Sequence, residues 1–163
     1  MTIPAPLADA VSQWGSLYSG HAVLRTLVIF AHVGGLVGAG GCAIAADRAT
    51  LLASPKHEAD RRAQVEAIAG THRIVVAGLT VIVVSGLLML AADLETFLYS
   101  RVFWIKMSLI VLLLINGVVL TSAERRVRSG DEHAWARLRF TAISSLALWF
   151  LITFAGVGLT NVG

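Results

Sequence analysis

Cysteine is almost absent from this chain. Cys42 stands alone among 163 residues, which excludes an intrachain disulfide and any thiolate metal cluster. Methionine occurs only at Met1, Met89 and Met107, with no His–Met grouping of the kind that copper transport needs. Charge is scarce too: Asp, Glu, Lys and Arg make up 14% and gather in the breaks between apolar runs. The short alternating segments of a transmembrane β-barrel are missing, as are low-complexity tracts and internal repeats. A cleavable signal peptide is not expected either, because the opening "TIPAPLADAVSQWGSLYSG" has no basic start and no apolar core of its own.

What is present is apolar surface in long blocks. The chain is 56% hydrophobic and its mean hydropathy is +0.77, far from an ordinary soluble domain. Four runs stand out, His21 to Ala46, His72 to Ala92, Val102 to Ala123, and Leu138 to Leu159. Each offers about 20 predominantly apolar residues, enough to cross a hydrocarbon core as a helix. The expected class is all-α, a polytopic membrane protein. Short links make consecutive spans antiparallel neighbours, so the expected architecture is an antiparallel four-transmembrane-helix bundle in one domain over residues 21–163. Residues 1–20 precede it, with a short interfacial helix expected around Leu7 to Leu17. The first long link, "ASPKHEADRRAQVEAIAG", begins at Ser54-Pro55 and continues in good helix formers. It should extend the second span below the membrane, with Gly70 as its weak point. The second, "ERRVRSGDEHAWAR", should break at Ser129-Gly130.

Basic residues set the expected orientation. Arg48, Lys56, Arg61, Arg62 and Arg73 surround the first of these links, and Arg125, Arg126, Arg128, Arg137 and Arg139 the second. The other side has only Arg25, Arg101 and Lys106. The positive-inside rule then puts both links in the cytoplasm and both termini in the periplasm of a bacterial inner membrane. The net charge of +3 reflects that arginine excess, and no nucleic-acid partner is expected.

His32 lies about 15 Å into the first run at 1.5 Å per residue, close to the bilayer centre. An ionisable residue there points to a functional site. A neutral imidazole is cheap to bury and is a good haem or metal ligand. His21, eleven residues earlier, differs from it by only about 20° around a helix and by ~16 Å along it, so one helix has the spacing for two stacked redox centres. The bland reading is a buried histidine bonded to a neighbouring helix. Ser85, Asn116, Ser145 and Trp149 fall in the same central layer. His72 opens the second span too far along the axis to share a haem with His32. Lys106, in the first turns of the third span, either snorkels to headgroups or pairs with Asp93.

The first run is also rich in small residues, including Gly34, Gly35, Gly38, Gly40 and Gly41. Such residues let helices approach closely in lipid. Gly38 is expected against a neighbouring backbone. The glycine face otherwise suits a homodimer or membrane-complex contact, or a surface for a flat cofactor.

The stretch from His72 to Glu124 reads "HRIVVAGLTVIVVSGLLML", a short acidic link, then "FWIKMSLIVLLLINGVVL". This cadence resembles the copper-resistance D (CopD) family and the haem-binding bacterial protoporphyrinogen oxidase family. The resemblance implies haem b tied to a first-helix histidine and a third-helix lysine, the latter matched by Lys106. Aligning "HVGGL" with the oxidase family's Trp-Phe-Ala-Gly-Leu puts Arg25 at the histidine's place and His32 at the tryptophan's, so a haem here would sit about two turns further along, on His32. The cofactor-binding candidates are therefore His32, Lys106, His21 and Asn116, with His32 as the metal ligand. The expected function is haem b binding and electron transfer in the inner membrane. A cofactor-free accessory subunit is the alternative. Ion permeation would need polar residues threading several helices, and the polar layer is thin.

Overall fold

A computed structural model describes residues 5–53, 57–131 and 133–162. The chain folds as α1 (Ala5–Gly20), α2 (Ala22–Leu52), α3 (Glu58–Ile68), α4 (Thr71–Ala92), α5 (Leu94–Tyr99), α6 (Arg101–Arg128) and α7 (Ala134–Val162). No strand occurs among the described residues.

Four helices are long and apolar enough to cross a membrane: Ala22–Leu52, the run Glu58–Ala92, Arg101–Arg128 and Ala134–Leu159. Their outward faces carry large apolar side chains such as Phe30, Ile74, Val118, Phe150 and Phe154. A continuous exterior of this kind is sustained by lipid and not by water. The protein is an all-α, multi-pass membrane bundle. The helices overrun the apolar windows by several residues at the charged ends, as at Leu52, Arg128 and Ala134. Hydropathy ends where lipid ends, whereas a helix continues through good helix formers such as Ala, Glu and Arg.

At the arginine-rich end, Gly70 keeps helical angles (φ −65°, ψ −27°), so α3 leads almost directly into α4. The Ser54-Pro55 start expected for this segment lies outside the described residues. Among the described residues α3 runs from Glu58, with the His57 N–H donating to Asp60 Oδ2 (3.4 Å). Val65 of α3 packs with Ala123, Val127, Ala134 and Leu138, sealing this end. The Glu58–Arg62 ion pair lies against the α6–α7 turn, where Gly130 has φ +87°. That break falls where Ser129-Gly130 predicted it.

The opposite end holds two elements that hydropathy alone blurs. α1 lies on α4, with the Trp14 indole N–H donating to the Leu88 carbonyl (2.8 Å). The acidic link folds as α5. Asp93 Oδ1 accepts from the Thr96 N–H (3.3 Å), and Ser100 Oγ accepts from the Phe103 N–H (3.4 Å) to start α6.

The extensive interfaces are α2 with α4, α6 with α7, and α2 with α7. The expectation that consecutive spans are neighbours fails between α4 and α6, which share no comparable interface. The link between them folds as α5 and not as a tight turn, which gives the two spans room to separate. An apolar groove lined by Leu90, Phe103, Trp104, Met107 and Val111 follows that separation.

The glycine positions correct one expectation. Among the described residues nothing lies within 4 Å of a Cβ built on Gly34, Gly38 or Gly41. Gly35 and Ala39 meet α4 instead: a Cβ on Gly35 would lie 3.1 Å from the Gly78 carbonyl oxygen. Gly40 meets α7, where its Cβ would lie 3.1 Å from Trp149 Cε3. Successive residues turn about 100° around a helix, which puts Gly34, Gly38 and Gly41 on one side of α2 and Gly35 and Gly40 on two others. The sequence therefore showed close packing without showing which glycines make it.

Candidate functional site

The polar side chains inside the bundle form two clusters, one in each half. The first is built on the α2–α4 contact. Gly86 leaves room for an imidazole, and His32 fills it, with Cε1 3.3 Å from the position of a Gly86 Cβ. His32 Nδ1 lies 3.1 Å from the Ile82 carbonyl oxygen and 3.0 Å from Ser85 Oγ. The Ser85 hydroxyl donates its own proton to the Val81 carbonyl (2.6 Å). Both groups facing Nδ1 are therefore acceptors, and Nδ1 carries the imidazole proton. Nε2 keeps its lone pair and has no hydrogen-bond partner among the described residues. A carbonyl holding Nδ1–H while Nε2 is presented is the arrangement that orients a metal-binding histidine.

Lys106 approaches the same half from α6. Its Nζ lies 3.5 Å from where a Gly156 Cβ would be, so the end of the side chain rests against α7. Its charge acts on His32. The Lys106–Asp93 pair expected from the sequence does not form, because Asp93 caps α5. His21 is not brought to this cluster. It is exposed at the N-cap of α2, with Nδ1 3.1 Å from the Leu17 carbonyl oxygen. Asn116 is not brought to it either. Its Nδ2 donates to the Thr141 carbonyl (3.0 Å) across the α6–α7 interface, ten residues and about 15 Å further along α6 than Lys106.

Asn116 belongs to the second cluster, in the arginine-rich half. There all four spans surround a cavity of about 90 Å³ whose lining includes Asp47, His72, Asn116, Glu124, Ser145 and Trp149. Asp47 is 5% exposed, and its Oδ2 has no hydrogen-bond partner among the described residues. Ser145 is the hydroxyl beside it, and Glu124 is the charged group facing it. Glu124 in turn faces His72 and Arg128. Sequence reasoning missed Asp47 and Glu124 because both sit just past the apolar windows, where acidic residues usually meet water. The available signal was helical phase. Asp47 follows Ala39 and Ala43 at intervals of four, on the stripe that meets the neighbouring helices.

Among the described residues there is no group of three or more His, Cys, Asp or Glu side chains that could hold a metal ion. No curated protein and no solved structure matches the chain. The family of unknown function DUF6644 matches over residues 11–160, from within α1 to near the end of α7 and including both polar clusters. The chain belongs to that family.

Proposed function

We propose that this protein binds haem b in the half of the membrane nearer its termini, where His32 would hold the iron, and takes part in electron transfer. The observation that carries this reading is the state of His32. Two acceptors fix the proton on Nδ1, and the lone pair of Nε2 is left for iron near the bilayer centre, where no water competes for it. The resemblance to CopD-like and haem-binding oxidase proteins supports a haem beside the first span and matches Lys106 to the family's lysine, whereas the place of the family's histidine is taken by Arg25. The Lys106 amine would be a second nitrogen donor available to the iron. Haem would supply the one-electron chemistry. This chain's part is to ligate the iron, fix the imidazole through Ile82 and Ser85, and exclude water. His32 does not line the apolar groove between α4 and α6.

The arginine-rich end faces the cytoplasm and both termini face the periplasm of a bacterial inner membrane in this reading. Ten of the thirteen basic residues stand at that end, as the positive-inside rule requires. An absorption spectrum of detergent-purified protein from haem-replete cells tests the cofactor. A Soret band that shifts on dithionite reduction is expected, and protein absorption alone would end the haem reading.

A specific observation favours a second reading. Gly34, Gly38 and Gly41 have open space beside them, and three small positions at helical spacing on a lipid-facing side suit a helix–helix contact. In this reading the protein is a cofactor-free subunit that associates with a second copy or with a membrane partner through α2.

A further inference from the structure

The second polar cluster has no part in haem binding, and its chemistry is that of an acid–base relay. Asp47 lies five residues before the end of α2, and Glu124 four before the end of α6. Both lie about one turn inside the bundle. Asp47 is nearly inaccessible, and its unpartnered Oδ2 belongs to a side chain that lines the cavity. A carboxylate anion buried without a cation is among the costliest groups a membrane interior can hold. The surroundings offer Asp47 little compensation. α7 contributes the Ser145 hydroxyl, α3 contributes Ile68, and α6 contributes a second carboxyl, Glu124. The Arg128 guanidinium of α6 and the His72 imidazole of α4 face Glu124. Two facing carboxyls with the positive charge gathered on one of them favour a single arrangement, in which Glu124 is ionised and Asp47 is neutral.

The cavity gives that proton a path. At about 90 Å³ it exceeds several-fold the space one water needs, and Asp47, Asn116, Ser145 and Glu124 supply the polar partners that hold water in place. His72 is exposed at its rim, so the route runs from Asp47 through water to Glu124 and out past His72 to the arginine-rich face.

We propose that Asp47 is an intramembrane proton-holding site that exchanges its proton with Glu124 through the cavity between α2, α4, α6 and α7. In that exchange the Asp47 O–H bond breaks and an O–H bond forms on Glu124, with water carrying the proton and no redox partner required. Haem binding at His32 is not needed, so the site stands or falls independently of the proposed cofactor.

A hydrophobic carbodiimide tests it on the full-length protein in detergent micelles. The reagent adds across a protonated carboxyl in an apolar setting and rearranges to a stable acylurea, which peptide mass spectrometry locates. The expected result is an adduct on Asp47 and none on the exposed Glu95, with labelling that falls as the pH of the medium rises. Glu124→Gln should keep the Asp47 adduct and change the pH at which it disappears, because the proton acceptor is gone. Absence of an Asp47 adduct at every pH, an adduct on Glu124 alone, or labelling indifferent to pH would overturn the proposal. So would protection of Asp47 by sodium ions at constant pH, which would make the occupant a metal cation. These readouts come from the wild type and from a variant that retains Asp47, so a misfolded Asp47→Asn would not blunt the test.

Discussion

Gly78 of α4 and Ala39 of α2 are in backbone-scale contact: a Cβ on the glycine would come within 2.7 Å of the alanine's own Cβ and 3.2 Å of its backbone nitrogen. No flexible side chain stands between the two helices there, so neither can yield locally. This crossing positions Ile82, Ser85 and Gly86 around His32, one and two turns further along α4.

Gly78→Leu should therefore force α2 and α4 apart. Overpacking a closely packed contact costs about 1–3 kcal/mol, and this one adds a backbone clash. A clear fall in the detergent melting temperature is expected. Gly38→Leu should leave melting nearly unchanged, since open space lies beside it. Equal melting of both variants with wild type would refute the contact.

The lipid-facing glycines give a separate outcome for the subunit reading. If α2 pairs with another helix through Gly34, Gly38 and Gly41, the double variant Gly34→Leu/Gly38→Leu should shift the detergent-corrected mass from dimer to monomer with the melting temperature of the monomer preserved. A wild type that is monomeric at every protein-to-detergent ratio would remove the homodimer.

For the haem reading, His32→Ala should abolish haem retention, whereas His72→Ala and His57→Ala should leave the spectrum intact. Ser85→Ala removes one of two acceptors at Nδ1 and keeps the Ile82 carbonyl, so it should shift the reduction potential or weaken retention without abolishing it. Outer partners of a ligating histidine are worth about 10–100-fold in affinity. A His32→Ala variant with its full haem complement would exclude His32 as ligand.

The orientation predicts that alkaline phosphatase fused after Thr96 is active and fused after Ser129 inactive, because the enzyme matures only outside the cytoplasm. The reverse pattern would invert the bundle, and with it the side to which the Asp47 cavity leads.

Class and span number were legible in the sequence because they depend on composition over some twenty residues at a time, a property that tertiary contacts do not alter. The break at Ser129-Gly130 was legible for a local reason: the turn there needs a positive φ, and Gly130 supplies it. His32 drew notice because an imidazole at mid-membrane depth is expensive anywhere in the fold. Its proton position could not be read, since it depends on Ile82 and Ser85, fifty and fifty-three residues away. The choice of Gly35, Ala39 and Gly40 over Gly38 was likewise decided by the rotation of α2 against its neighbours. Asp47 and Glu124 lie seventy-seven positions apart in the chain, and each alone reads as an ordinary charge at a helix end. Only the convergence of four helices sets them across one cavity, where two facing carboxyls must divide a proton between them.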